Sequence, residues 1–385
     1  MKIALLGSRG IPARYSGFET FYEQLAVRLA RRGHAVTVYN RRHFLPDAGP
    51  VWEGVRLVTL GGLRGKHLDT ITHTAVATAH ALGQRYDIAY YCIVGNAPLA
   101  WLPRLTGART LLNVDGEDWA REKWGAFARW YQRRCERLAG WTADAIVADA
   151  RVVQERYRRL YGVESVFAPY GGDVERDEGL DALRRFGLEP DRYILYVGRF
   201  VPENSIHVLL RAYRELDTDL PLVLVGDAEY GAAYRAELRR LADARVVFTG
   251  YAFGRDYRQL SSHARFCVQP SAVNGTRPAL LEQLGFGNCV LARDTPANRE
   301  VIADCGASFP HADPERGLRA AMAELLRRPE RVADLRRRAR QRIVGYYNWE
   351  RIADFYVALF QALRQGAALP DYDEFLRRAA PPPAQ

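Results

Sequence analysis

Several short stretches of this chain combine small residues with charge in ways that suit a phosphorylated ligand. Val197-Gly198-Arg199 ends an apolar run with a permanent cation at its carboxyl end, where open α/β sheets bind ligands. Asn274-Gly275-Thr276-Arg277-Pro278 runs straight into Ala279-Leu280-Leu281-Glu282, a small-residue turn that opens a helix. There Asn274, Gly275, Thr276 and Arg277 offer amides and a guanidinium to a phosphate, and Glu282 offers an acceptor to sugar hydroxyls. Ser16-Gly17-Phe18-Glu19 has two readings: a capping box that only starts a helix, or amides at Gly17 and Phe18 turned towards a diphosphate. Asp115, just after the apolar run Thr110 to Val114, either orients or deprotonates a hydroxyl, with Glu117 or Asp118 as alternatives, or is half of an Asp-Gly turn. Each feature alone also has an ordinary structural use, since Gly and Pro commonly precede helices and an arginine after a strand often forms a surface ion pair.

Other chemistries find less support. The first apolar run is not followed by G-x-G-x-x-G, and the second ends in Asn40-Arg41-Arg42 rather than in an acid that holds a ribose, which disfavours a dinucleotide dehydrogenase. Asp371-Tyr372-Asp373 has the spacing of a metal-binding DxD, but no cluster of oxygen ligands surrounds it in the sequence. The five cysteines, at 92, 135, 267, 289 and 305, have no CxxC or Cys/His ligand spacing and read as reduced core residues of a cytoplasmic protein.

These residues need elements to hold them, and the chain supplies a repeated alternation of strand-like and helical-period runs. With 385 residues, 48% hydrophobic and 26% charged, it has the composition of an ordinary globular protein long enough for two cores. In the first half, strands are expected at Ile3 to Leu6, Ala35 to Tyr39, Val55 to Leu60, Ile88 to Cys92, Thr110 to Val114, Ala145 to Val147 and Ser165 to Ala168. The turn-rich Pro169 to Asp173 then joins a second series: Tyr193 to Val197, Leu222 to Val225, Val246 to Thr249, Phe266 to Val268 and Cys289 to Ala292. An Arg-rich helix from Pro329 to Gly345 precedes Tyr347-Asn348-Trp349 and one more amphipathic helix, and Pro381 to Pro383 read as a frayed end. The expected class is α/β with two Rossmann-like domains: 1–172, completed by a returning segment 349–378, and 173–348.

The formal charge is +10, and +7 of it lies in residues 1–175. Between Trp119 and Trp141 stand four tryptophans and six cations against two acids. This stretch is either a helix face packed on its domain or an amphipathic surface for a bilayer holding anionic lipids. No run reaches the about 18 apolar residues that a spanning helix needs, so the chain is expected in the cytoplasm, peripheral to the inner face of the plasma membrane.

In their order, Ser16 to Glu19, Val197 to Glu203, Gly250-Tyr251, Pro270-Ser271, Pro278 to Glu282 and Gly287 to Val290 resemble the GT-B retaining glycosyltransferases of family four, over nearly the whole chain. The resemblance implies two Rossmann-like domains with parallel sheets facing across a cleft. The first would hold the acceptor and the second a nucleotide-sugar donor, with a C-terminal helix crossing back. It further implies transfer without a cofactor or catalytic metal, Tyr251 beside the base, and Asp115, Glu117 and Trp119 on the acceptor side. A narrower resemblance, to bacterial rhamnosyltransferases of surface-polysaccharide assembly, rests on Gly10 to Tyr15, Lys66 to Ile71, Asn113 to Gly116 with Trp119 and Lys123 to Gly125, and Val201 to Asn204. It implies dTDP-L-rhamnose as donor and a lipid-diphosphate-linked saccharide as acceptor.

Two positions depart from the broader pattern. Asn274 replaces the first acid of Glu-x7-Glu, and Asn204 replaces the usual lysine after Pro-Glu. Compensation of phosphate charge then falls on Arg199, Arg277 and helix-terminal amides. Two rival functions are weighed: a nucleotide-sugar epimerase on the same fold, marked by donor turnover without acceptor, and a basic nucleic-acid-binding protein, for which the sequence holds no recognition motif. The expected partners are therefore a nucleoside diphosphate sugar, the lipid-linked acceptor and an anionic membrane surface through 119–141, with no nucleic acid.

Overall fold

The computed structural model describes residues 1–13, 17–65, 68–114, 116, 125–228, 231–273 and 275–379. The chain divides into two compact units, Met1–Tyr170 together with the segment from Trp349 onward, and Gly171–Asn348. The first unit ends two residues before the expected boundary. Gly172 bridges to Asn348 and donates its N–H to the Tyr347 carbonyl at 2.8 Å, which ties Gly171 and Gly172 to the second unit.

Eight strands form the first sheet: β1 Lys2–Leu6, β2 Ala35–Arg41, β3 Val51–Trp52, β4 Val55–Leu60, β5 Ile88–Tyr91, β6 Arg109–Val114, β7 Ala145–Ala148 and β8 Val166–Phe167. Their order is β3-β4-β2-β1-β5-β6-β7-β8, and every pair is parallel except β3 with β4. Parallel strands are covered on both faces, which is why β1, β5 and β7 are continuous apolar runs. The order reverses at β1, so the loop after Leu6 opens at a topological switch point.

The helix Trp349–Gln365 completes this unit. Its apolar face buries Trp349, Phe355, Tyr356 and Phe360, and Phe21 of the helix Gly17–Arg31 meets Tyr356 at 5.6 Å and Trp349 at 6.2 Å between ring centroids. Glu350 accepts from Arg28 at 2.9 Å and Arg32 at 2.8 Å, and Asp354 accepts from Arg32 at 2.7 Å. Inside, the Tyr356 and Tyr90 hydroxyls lie 3.0 Å apart. A short helix, Tyr372–Ala379, follows, and Asp373 pairs with Arg151 while Asp371 accepts the Glu374 N–H at 2.9 Å. Both acids of the DxD spacing are thus engaged in holding this helix.

The second unit has β9 Ile194–Val197, β10 Leu222–Val225, β11 Val246–Gly250, β12 Phe266–Gln269, β13 Val290–Arg293 and β14 Ala307–Phe309, all parallel in the order β11-β10-β9-β12-β13-β14. Ile194, Tyr196, Leu209, Leu224, Phe266 and Leu291 lie in its core. Here the order reverses at β9, which places Gly198 and Arg199 at the switch point. The Arg-rich helix stops at Arg342, and a wider π-type turn, Ile343–Tyr347, follows with Ile343 and Tyr347 buried. All five cysteines are free and buried, and burial pushes every thiol up, Cys135 and Cys305 to about 11.

Candidate functional site

In the second unit, residues from the segments that follow β9 and β12 meet beyond the carboxyl ends of those strands. Gly198, at φ +156°, turns the chain out of β9 and donates its N–H to the Val225 carbonyl at 3.0 Å. The Arg199 carbonyl then accepts from Asn204 Nδ2 at 2.7 Å and from Tyr196 Oη at 3.4 Å, so the backbone beneath the guanidinium is held from two sides. Arg277 donates through Nη1 to Asn204 Oδ1 at 2.9 Å and through Nη2 to Ser271 Oγ, and Ser271 Oγ donates to the Glu203 carbonyl at 2.9 Å. Burial pushes the Tyr196 phenol up, and the charges of Arg277 and Arg199 pull it back.

The other expected donor residues of the second unit have their own local surroundings. Gly275 has φ +147°, Thr276 is buried, and Pro278 opens the helix Pro278–Gly285 at its first turn. Tyr251, exposed after β11, stacks on Phe253 with centroids 5.9 Å apart and planes 20° apart. Its hydroxyl donates to the Asp227 carbonyl at 3.2 Å, which also accepts the Phe200 N–H at 2.9 Å and so ties the aromatic pair to the Arg199 loop. Glu282 accepts from Tyr257 Oη at 2.5 Å. Desolvation raises its carboxyl above the ordinary range, Glu175 adds to the rise, and the Tyr257 hydrogen bond opposes it. Asn274 lies outside the described residues.

Asp115, Glu117, Asp118 and Trp119 also lie outside the described residues, as does Ser16 of the capping-box spacing. Gly17 does begin the helix Gly17–Arg31, and Glu19 accepts the Arg9 N–H at 2.9 Å, fastening the loop after β1 to that helix. Sequence reasoning missed a second cluster here. Arg41, the last residue of β2, donates to the Ser8 carbonyl at 3.1 Å and the Gly7 carbonyl at 2.9 Å, and pairs with Asp69 at 2.7 Å. Asp69 also meets His43 Nε2 at 3.3 Å, and Arg9 lies over the Phe44 ring at 3.8 Å. The available signal was the polar run Asn40 to His43 at a strand end together with an acid at Asp69. Ile93, directly after Cys92, has φ +68°, a left-handed conformation that costs a β-branched residue about 1–3 kcal/mol and is most often kept at functional sites.

Two family models match adjoining parts of the chain: "Glycosyl transferase 4-like domain" over residues 16–171 and "Glycosyl transferases group 1" over residues 191–328. The chain belongs to the group 1 glycosyltransferases. It is 27% identical to the O-antigen chain mannosyltransferase C of Escherichia coli over 383 residues, covering 91% of this chain and 96% of that one. Among solved structures it resembles a sucrose-phosphate synthase of Thermosynechococcus elongatus, with a TM-score of 0.81, 21% identity and coverage of 95% and 100% of the two chains. It also resembles Anabaena HepE in complex with UDP-glucose, with a TM-score of 0.76, 16% identity and coverage of 94% and 100%. The fold of this glycosyltransferase is therefore GT-B, with two parallel-sheet α/β domains.

The helix Ala126–Thr142 of this enzyme has two unlike faces. Gln132, Cys135, Glu136 and Ala139 are buried, and Glu136 accepts from Arg156 at 2.9 and 3.0 Å and from Tyr161 at 2.6 Å. The opposite face exposes Phe127 (77%), Trp130 (53%), Leu138 and Trp141 (81%) at helical spacing, with Arg133, Arg134 and Arg137 exposed on the same side or along its border. Phe127 stacks on Trp130 at 5.7 Å, and Arg134 lies 5.6 Å from the Trp130 ring. No helix among the described residues is long and apolar enough to cross a membrane.

Proposed function

We propose that this glycosyltransferase moves L-rhamnose from dTDP-L-rhamnose, with retention and without a metal, onto a lipid-linked saccharide during cell-surface polysaccharide assembly. The observation that carries the reading is Arg199 at the switch point after β9, its carbonyl bonded to the same Asn204 side chain that accepts from the Arg277 guanidinium. In the transfer, the bond from the anomeric carbon to the β-phosphate oxygen breaks and its electron pair leaves on that oxygen. The acceptor oxygen bonds to the anomeric carbon on the face from which the diphosphate departs, which keeps the configuration, and its proton passes to Asp115. Arg199 stabilises the charge growing on the departing diphosphate. The stacked pair Tyr251 and Phe253 offers an aromatic face for the nucleobase.

A mannosyl donor is the second reading, favoured by the mannosyltransferase relative. L-Rhamnose is 6-deoxy-L-mannose, so the two sugars share the hydroxyl pattern at C2 to C4 but differ in absolute configuration and at C6. A thermal-shift panel of nucleotide sugars separates them, because a ligand bound only by the native state raises the midpoint with its concentration. The rhamnose reading expects the largest rise with dTDP-L-rhamnose. A larger rise with GDP-mannose transfers the assignment to mannose, and no rise with any nucleotide sugar removes the donor site from the second unit.

The exposed aromatic and basic face of Ala126–Thr142 supports docking on an anionic bilayer, where a lipid-linked acceptor is confined. Each cation at such a surface contributes about 1 kcal/mol, weakening with salt. Replacing Arg129, Arg133, Arg134 and Arg137 by Glu is expected to abolish sedimentation with phosphatidylglycerol vesicles while nucleotide binding is retained. Wild-type protein that stays in the supernatant at low salt would overturn the docking and favour a soluble acceptor.

A further inference from the structure

We infer that Tyr257 is a positioning residue for the donor: its hydroxyl holds one oxygen of Glu282 and leaves the other as a fixed acceptor for a hydroxyl of the bound nucleotide sugar. The inference rests on the donor reading above and adds the residue that keeps the Glu282 carboxylate oriented and able to accept.

The direction of each bond in the surrounding network carries it. Tyr257 Oη donates to Glu282 Oε2 at 2.5 Å. Behind the phenol, Gln283 Nε2 donates to Tyr257 Oη at 3.3 Å and to Ser261 Oγ at 2.9 Å. Asn288 orients that amide, since its Nδ2 donates to Gln283 Oε1 at 2.7 Å and to the Ser261 carbonyl at 2.7 Å. A backbone carbonyl can only accept, so it fixes which end of the Asn288 amide faces it, and that choice fixes Gln283. The phenol thus receives a bond from Gln283 and has its own proton left for Glu282. Oε2 is committed as an acceptor, and a proton taken up by Glu282 must sit on Oε1.

Oε1 is also the atom open to a ligand. It has no hydrogen-bond partner among the described residues, and Glu282 is partly exposed, whereas Ser261, Gln283 and Asn288 are buried. Phe286 meets the Tyr257 ring edge-on, with centroids 5.7 Å apart and planes at 89°, which steadies the phenol. A carboxyl with only a structural task in such a network would have both oxygens paired. One pinned oxygen beside one open one is the arrangement of a preorganised acceptor.

Charge makes the phenol's part measurable. Desolvation raises the Glu282 carboxyl, the Tyr257 bond opposes the rise, and Glu175 adds to it. Tyr257 is thus the group, among those described, that favours the ionised form. The other elements packed here turn their charges elsewhere. The helix Pro329–Arg342 brings Arg340 to Gly287, beyond the carboxyl end of the Glu282 helix, and Arg293 of β13 donates to the His311 carbonyl at 3.0 Å. Tyr347 of the π-type turn donates to the Glu300 carbonyl at 3.3 Å, and Cys267 of β12, beside Tyr257, has its thiol pushed up by burial.

Calorimetric titration of the full chain with dTDP-L-rhamnose and with GDP-mannose, between about pH 5 and pH 9, tests the inference beside a thermal melt of each variant. Wild-type affinity is expected to fall on the acid side, as a proton on Oε1 removes the acceptor. Tyr257→Phe keeps the ring against Phe286 and leaves Gln283 bonded to Ser261, so the fold should survive. It should move the acid fall upward by about one pH unit or more, as for loss of a bond to a charged group, with alkaline affinity within about threefold of wild type. Glu282→Gln should weaken binding about tenfold and lose the acid fall, because Tyr257 takes the amide oxygen and turns the amide nitrogen to the ligand. In that background Tyr257→Phe should cost no more than about twofold further. The ligand's own ionisation is common to all variants and cancels in the comparison. A loss in Tyr257→Phe that is equal at every pH and persists in the Glu282→Gln background would make Tyr257 a packing residue and overturn the inference, as would wild-type behaviour in either single variant. Wild-type protein that binds neither nucleotide sugar would instead defeat the donor reading on which the inference stands.

Discussion

Arg199→Ala is expected to cut turnover about a hundredfold or more while leaving the unfolding midpoint close to that of the wild type. The magnitude is that of removing one preorganised donor aimed at charge that develops in the transition state. The fold is expected to survive because the loop is held through its backbone: Gly198 N–H on the Val225 carbonyl, and the Arg199 carbonyl under Asn204 and Tyr196. Truncation at the side chain leaves those bonds in place. Steady-state kinetics beside a thermal melt checks both halves, and near-normal turnover in a folded variant would show that the diphosphate lies elsewhere.

Gly226→Ala is expected to destabilise the second unit by about 3 kcal/mol, combining a strained backbone with overpacking. Gly226 follows β10 at φ +139°, where its N–H donates to the Gly250 carbonyl at 2.9 Å. A methyl group there would overlap the Gly198 carbonyl oxygen and come within 3.4 Å of the Phe200 ring. The carbonyl that must move belongs to the residue before Arg199, so activity should fall with stability. Gly250→Ala is the control, since its φ of +72° strains the backbone but nothing lies within 4 Å of the added carbon. Urea unfolding of the two variants separates close approach from strain. Equal midpoints would mean that the Gly226 and Gly198 backbones are not in contact.

Strands with long apolar runs were legible from the sequence, and Val55–Leu60 and Leu222–Val225 have the bounds that hydrophobic patterning gives them. Several others run one or two residues further, to Arg41, Gln269 and Arg293, because a ladder hydrogen bond depends on the backbone and tolerates a polar side chain at the strand's end. Val51–Trp52 and Ala307–Phe309 were not readable. Two exposed residues, and three with a serine between, carry no periodicity, and only pairing with β4 and β13 makes them strands.

The site divides in the same way. Arg199 was visible because a strand end and the turn after it are local features, and Tyr251 only through the resemblance to family four. The Asn204–Arg277–Ser271 contacts join residues that no local pattern relates, and the same holds for Asp69 with Arg41 and His43. Glu282 was read as a residue for sugar hydroxyls, and its bond to Tyr257, 25 residues earlier, is again a matter of packing.

Metal-free transfer of a sugar from a nucleoside diphosphate donor, with Arg199 stabilising the departing charge, can be read in a single reaction. The enzyme, dTDP-L-rhamnose and membrane-extracted lipid-linked saccharide are incubated in excess EDTA, and dTDP release and the anomeric configuration of the product are read by NMR. The account expects dTDP to appear only with acceptor present, in step with a product whose anomeric configuration matches the donor. Release that stops in EDTA and returns with magnesium or manganese, or a product of inverted configuration, would contradict it.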